Sequence, residues 1–240
     1  MIMSAVEDAA LDAYLAPRVR PRTRLVLEAS GSPLAPTASR FGGVPYLEVG
    51  EEWPECVCDR PMSFICQLDV RGTEVGERLP FALCAFYFCW ECFPQDPEPG
   101  PWTLRTYADP RDDQAIAVDL PEGIDVTTPC AVELEDARSL PVWEGQARDA
   151  PEALELARAA DPESPWTAYH AACERVAGPQ DIESAIGGYP HWLQGDDQPD
   201  GGVLVATIDS EADARISWGD CGAVYLFLTP DGPRMVLQSL

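Results

Sequence analysis

WPECVCDRPMSFICQLDV (53–70) and LPFALCAFYFCWECF (79–93) decide how this chain folds. Within the first, Met62, Phe64, Cys66, Leu68 and Val70 alternate with Ser63, Ile65, Gln67 and Asp69. That is the period of a strand with one core face and one polar face, and it puts Gln67 and Asp69 side by side on the polar one. Residues 81–89 are apolar without alternation, the signature of a central strand covered on both sides. Two close cysteine pairs, Cys56/Cys58 and Cys89/Cys92, bracket these strands. Neighbouring strands in a hairpin bring such pairs together.

Four thiolates on tight turns are the ligand set of a tetrahedral zinc ion, with sulfur at ~2.3 Å from the metal. Cys89-Trp-Glu-Cys92 makes a knuckle at a strand end, and Cys56-Val-Cys58 a shorter, more strained chelate. The plain alternative is four reduced cysteines, cysteine being a common buried residue. A site closed by four thiolates keeps no position open for water, so it implies a structural metal and no metal catalysis.

The chain has 240 residues, 46% of them hydrophobic, enough for one large domain or two fused halves. Its 16 basic residues, all arginine, face 41 acidic ones, for a formal charge of −25. Phosphate backbones are repelled by such a surface, which excludes nucleic acid as a partner class. The charge fits either plain solubility or an encounter with a basic protein. The first 17 residues carry acidic groups and no apolar leader, and no run approaches a membrane span. With nine cysteines, the expectation is a reducing cytoplasm in which close pairs serve metal rather than disulfides.

Taken in order, residues 4–15 read as a helix with a Ser4/Glu7 capping box and a stripe of Val6, Ala10, Leu11, Tyr14 and Leu15. Residues 17–24 read as a basic connector, 24–29 as a strand, and 39–47 as a tight Gly42-Gly43 turn feeding a strand. Residues 94–101 are a breaker-rich loop, and 102–107, 114–120 and 130–134 are short strands. A connector (141–149) leads to two helices, 151–160 and one capped by Ser164 with Pro165 first and Gly178 past its end. The second helix aligns Trp166, Tyr169, His170, Cys173 and Val176 as a core stripe, with His170 a half-buried, satisfied histidine.

The end of the chain then echoes its beginning. IGGYPHWLQ (186–194) parallels FGGVPYLEV (41–49), 203–210 parallels 64–70 with Asp209 in the place of Asp69, and 221–229 parallels 84–89. A strand over 234–240 closes the chain. An ordered echo of this kind implies an internal duplication. The expected fold is α+β and internally duplicated, with mostly antiparallel sheets and peripheral helices about a pseudo-twofold axis. A single domain spans 1–240, with repeat halves at 24–135 and 182–240 and a helical connector at 150–178.

FGGVP, WP followed by cysteines, PMSFICQLDV, IGGYPHWLQ and ISWGDCGAVYLFL, in this order over residues 39–228, resemble the YwqG-like family, a bacterial family of unassigned function. The resemblance implies an α+β fold with a duplicated half. The first half also resembles the programmed cell death protein 2 family, through its GG-x-P turn, cysteine pair, Q-L strand and apolar strand ending in C-x-x-C. Members of that family act as dedicated chaperones of a basic ribosomal protein. The related pattern has two residues inside the first cysteine pair where this chain has one. Neither family brings a catalytic residue.

Catalytic chemistry finds little support. The histidines are His170 and His191, and a Cys221–His191 pair lacks any nucleophile elbow or ordered triad. No GG-x-P turn opens a helix with a lysine, so a phosphate loop fails. Asp69, Asp209 and Asp220 can serve as paired carboxylates or as caps on backbone N–H groups. The expectation is therefore a non-catalytic acidic protein-binding module, immunity-like or chaperone-like, that engages a basic partner and carries a structural zinc on Cys56, Cys58, Cys89 and Cys92. The alternative is a small-molecule binder or enzyme using a crevice between the halves lined by Gln67, Asp69, Trp192, Asp209, Trp218 and Asp220.

Overall fold

A computed structural model describes residues 5–29, 31, 33–92 and 100–240, with side chains from Glu7 onward. Ser4 of the expected capping box, the side chain of Val6 and most of the 94–101 loop lie outside the described residues. The described chain is mostly antiparallel sheet, with ten strands and few helices. It divides into two compact units: residues 1–25, 134–210 and 217–240 in one, and 26–133 with 211–216 in the other.

The second of these units holds β2 (Arg40–Phe41), β3 (Ser63–Asp69), β4 (Leu83–Phe88) and β5 (Trp102–Tyr107), an antiparallel run in sequence order. The beginning of β6 (Cys130–Ser139) pairs with β2 on its free side, Cys130 opposite Phe41. β3 is buried on both faces from Ser63 to Leu68, so the expected solvated face is absent. Nor do its faces follow simple alternation, because a bulge at Ile65 shifts the register between Phe64 and Cys66. Phe64 stands opposite Tyr87 and Gln67 opposite Ala85, and all three apolar partners sit in one core cluster with Tyr46, Leu83 and Tyr107. Phe64 and Gln67 therefore share a face, contrary to the simple alternation. The Ile65 carbonyl accepts the Gly42 N–H at 2.9 Å, which ties the bulge to the Gly42-Gly43 turn. Both glycines have positive φ, and a Cβ on Gly42 would meet the Thr127 carbonyl oxygen at 2.3 Å, so only glycine fits there.

The expected strand at 114–120 does not form. Asp112–Gln114 is a 3-10 turn, and Ile116 N–H donates to the Leu47 carbonyl without a ladder following it. β6, by contrast, runs on to Ser139 through the polar residues Glu135, Asp136 and Arg138.

The other unit contains α1 (Ala5–Leu15), the first part of β1 (Arg20–Ala29), α2 (Gln146–Asp149), α3 (Ala153–Ala160), α4 (Pro165–Ala177), β7 (Ala185–Gly187), β8 (Val203–Asp209), β9 (Ala223–Thr229) and β10 (Gly232–Gln238). Its strands run β10-β9-β8-β7-β1, all antiparallel. β1 begins at Arg20 inside the stretch expected to be a connector, and Arg22 pairs with Gly187. Its arginines are tolerated in a strand because Glu183 takes both Arg22 and Arg24. β7, expected as part of a turn, is three residues long, too short for a period to be read. α2 lies in the expected connector and α3 starts two residues later than expected.

The three longer helices pack on one another around Leu11, Leu15, Leu140, Ala153, Ala157, Tyr169 and Cys173. Burying Leu11 and Leu15 completely contributes roughly 1.5–3 kcal/mol each, which holds α1 in place. The buried face of α4 is Ala168, Tyr169, Ala172 and Cys173. Trp166 (56% exposed) and His170 are exposed rather than members of the stripe, and they meet edge to face at 6.0 Å. Pro165 and Gly178 sit where expected, Gly178 with φ 84°. Ser164 occupies the N-cap position, but its hydroxyl bonds the Thr167 hydroxyl at 2.7 Å instead of capping the helix.

The two units share details. β8–β9 carries a bulge at Val205 where β3–β4 carries one at Ile65. Asp209 N–H donates to Ser184 Oγ at 3.0 Å as Asp69 N–H donates to Ser39 Oγ at 2.9 Å. Ser39 and Ser184 each precede a positive-φ glycine pair by three residues, Gly42-Gly43 and Gly187-Gly188.

Candidate metal centre

The first cysteine pair lies on a small hairpin closed by a bridge between Glu55 and Pro61. Cys56 N–H donates to the Arg60 carbonyl at 2.8 Å, and Asp59 N–H donates back to the Cys56 carbonyl at 2.9 Å. Asp59 adopts φ 62°, a left-handed turn that aspartate tolerates better than most residues. Cys89 follows β4, and the chain then makes a 3-10 turn over Trp90–Cys92. Because β3 and β4 pair directly, both turns arrive at the same end of the sheet.

The four Sγ atoms lie within 4.8 Å of one another. Cys56 and Cys92 are 3.7 Å apart, and Cys58 and Cys89 are 3.6 Å apart. A tetrahedron with metal–sulfur bonds of ~2.3 Å has sulfur–sulfur edges of about 3.8 Å, whereas a disulfide requires about 2.05 Å. The Cys56–Cys92 and Cys58–Cys89 separations match the former, and all four are free cysteines. Arg60 N–H points at Cys58 Sγ and Cys92 N–H at Cys89 Sγ, hydrogen bonds that stabilise a thiolate. At Cys58 burial acts upward, but the Arg60 N–H and the other three thiols outweigh it and hold this thiol below the ordinary cysteine value. Burial pushes Cys89 up, and a hydrogen bond with Cys56 leads the rise of Cys92 to about 12.

One side of the cluster is walled. Cys56 and Cys89 are buried, packed with Met62, Phe64 and Tyr87, and Trp53 Nε1–H donates to the Met62 carbonyl at 2.8 Å beside them. Cys58 is exposed and Cys92 half-buried. Arg60 and Glu91 form an ion pair at 2.9 Å from one turn to the other, more than half exposed, which contributes at most about 1 kcal/mol. These four cysteines can bind a metal ion. The N–H donors and the Arg60–Glu91 pair are invisible to sequence reading, apart from the hint of an aspartate directly after the second cysteine.

The residues expected to line a crevice each have an internal role. Gln67 is completely buried: its Oε1 accepts Tyr46 N–H at 2.7 Å, and its Nε2 donates to the Pro36 and Ala38 carbonyls at 2.7 and 2.8 Å. Asp69 accepts the N–H of Arg71 at 3.0 Å and holds its guanidinium, and Asp209 accepts Ser210 N–H at 2.7 Å. Both carboxylates thus take the strand-to-turn role. Burial raises the Asp209 pKa above the ordinary carboxylate value. Trp192 packs on Tyr225 and Phe227, and Trp218, completely buried, donates to the Asp209 carbonyl at 3.2 Å. Asp220 is exposed, and its carbonyl, rather than its carboxylate, takes the Leu240 N–H at 2.9 Å. Burial lowers His191 to about 4, which leaves it neutral at physiological pH, and no hydrogen bond joins it to exposed Cys221 among the described residues. Among the described residues no helix is long and apolar enough to cross a membrane.

The model of a family described as a domain of unknown function (DUF1963) matches residues 39–232. No curated protein matches the chain.

Proposed function

We propose that this chain, which belongs to the DUF1963 family of domains of unknown function, is a non-catalytic acidic module that engages a basic protein partner and is braced by a structural zinc ion. The observation that carries the reading is charge. Sixteen arginines cannot neutralise 41 carboxylates, and several of those arginines are already committed, Arg22 and Arg24 to Glu183, Arg148 to Asp196 and Arg175 to Asp12. The surplus negative field steers a cationic partner and repels nucleic acid. Zinc is the ion that suits four thiolates at tetrahedral spacing, and such a shell leaves no coordination position for substrate. The cytoplasm is the compartment in which free thiols of this kind persist.

The same proposal includes a tandem duplication, in keeping with the YwqG-like resemblance. Matched bulges, serine–aspartate contacts and glycine pairs support it. This reading moves the boundary from the expected halves, 24–135 and 182–240, to just before β6, so that β1–β5 and β6–β10 are the two copies and each gives its opening strand to the other's sheet, β1 to β7 and β6 to β2.

Affinity capture at low salt, followed by reconstitution from purified components, tests the function. A basic protein that binds in fixed stoichiometry and weakens steeply as salt rises is the expected result. Reconstituted partners that are acidic, or an affinity indifferent to salt, would defeat it.

A further inference from the structure

A cavity of about 500 Å³ opens within the unit that contains β1 and the helices, lined by Arg22 and Arg24 of β1, Asp136 and Arg138 of β6, and Asp181 and Glu183 ahead of β7. In a chain of charge −25, three arginines converge on this cavity. Arg22 and Arg24 are two residues apart on one strand and so share a face. Arg22 stands opposite Gly187, which has no side chain to fill that face.

The charges are unevenly met. One carboxylate, Glu183, serves two guanidinium groups: one oxygen pairs with Arg22 and the other with Arg24 Nε at 2.6 Å. Arg24 has a second partner in Glu135 at 2.9 Å. Arg22, only 7% exposed, forms no second ion pair among the described residues, where its Nε also has no hydrogen-bond partner, and Asp181 of the same lining offsets only part of its burial. Burial, with Arg24 adding to it, lowers the Arg22 pKa to about 10, a sign that the cation is under-compensated. Arg138 lies exposed on the rim, in no ion pair among the described residues. Asp136 and Asp181 keep the lining from becoming a purely basic trap, which favours a compact ligand over a polyanion.

We propose that this cavity binds a small molecule through a compact oxyanion group, a carboxylate or a phosphate, held between Arg22 and Arg138. Guanidinium groups match such groups in shape and charge. A cavity of this volume admits a small metabolite and no larger chain. The site goes beyond the protein-binding reading above and stands or falls separately from it.

The test is a titration of the intact protein, uniformly ¹⁵N-labelled, with inorganic phosphate and with succinate in parallel, following the arginine Nε–Hε resonances. The expected result is a saturable shift of the Arg22 and Arg138 signals by at least one probe, with a dissociation constant tighter than about 10 mM. Which probe saturates first identifies the oxyanion. Arg138→Gln, an exposed substitution that leaves the Arg22–Glu183 pair intact, should weaken that binding several-fold, and Arg22→Gln should abolish it. Absence of a saturable shift with both probes overturns the proposal. So does unchanged affinity in Arg138→Gln, a result that does not depend on whether Arg22→Gln folds.

Discussion

Replacing Cys58 by alanine separates a metal centre from a set of idle thiols. Cys58 is exposed, so its sulfur supports no core packing, and an exposed truncation of this kind costs within about 0.5 kcal/mol if no metal is held. As one of four ligands it carries much more. A metal present at a thousand times its dissociation constant stabilises the folded state by about 4 kcal/mol, and the loss of one thiolate forfeits most of that. For a chain of this size each kcal/mol moves the melting temperature by about 2–4 °C, so Cys58→Ala should lower it by about 8–16 °C. Cys221→Ala, an equally exposed cysteine outside the cluster, should leave it within about 2 °C. Scanning calorimetry of protein purified without chelator reads the difference, and native mass spectrometry should show one zinc on the wild type and none on Cys58→Ala. Adding Cys92→Ala to Cys58→Ala should cost little more, because the ligands act as a unit. A Cys58→Ala protein that melts within about 2 °C of wild type, with a metal-free native mass for both, refutes the reasoning.

Four further expectations follow from the same structure. Gly42→Ala combines a left-handed backbone with a collision against the Thr127 carbonyl, and should cost about 2–5 kcal/mol in urea unfolding. Gly50→Ala, at φ 92° with open space around it, should cost only about 1–2 kcal/mol. Gln67→Leu strands the Tyr46 N–H, while the Pro36 and Ala38 carbonyls keep Arg40 as a donor, so the expected loss is about 2 kcal/mol and not three times that. His191 has a folded pKa of about 4, below its unfolded value of 6.5, so the unfolded chain takes up the extra proton and stability falls as pH drops through that window. The loss approaches about 3 kcal/mol near pH 4, and His191→Gln should flatten that segment of the stability–pH curve.

Much of the sheet was legible because its strands are apolar runs bounded by breakers. β4, β5, β8 and β9 fall within a residue or two of their expected places. The four cysteines were legible by spacing alone, since two short-range pairs on paired strands have few other ways to be arranged. The bulge at Ile65 was not, because one inserted residue leaves hydrophobicity untouched while moving every later side chain to the opposite face. The second half of β1 was legible as a strand over 24–29, but its start at Arg20 was hidden by arginines whose neutralising carboxylate, Glu183, lies 159 positions away from Arg24. The face of α4 was displaced because bulky Trp166 and His170 were weighted above Ala168 and Ala172, which bury more completely. The arginine cavity left no trace in sequence, for its lining comes from three separate stretches.

The pairing of β1 with β7, which lie far apart in the chain, sets how the polypeptide tolerates scission. Severed between α4 and β7, an amino-terminal fragment would keep β1 beside β6 but without β7, and a carboxy-terminal fragment would bare the β1-facing edge of β7. Each piece would present a bare hydrogen-bonding margin shaped for the other. Such fragments should be insoluble when expressed singly and recover the native fold when co-expressed, which makes the linker between α4 and β7 a natural place to split this protein into a conditional reporter of proximity.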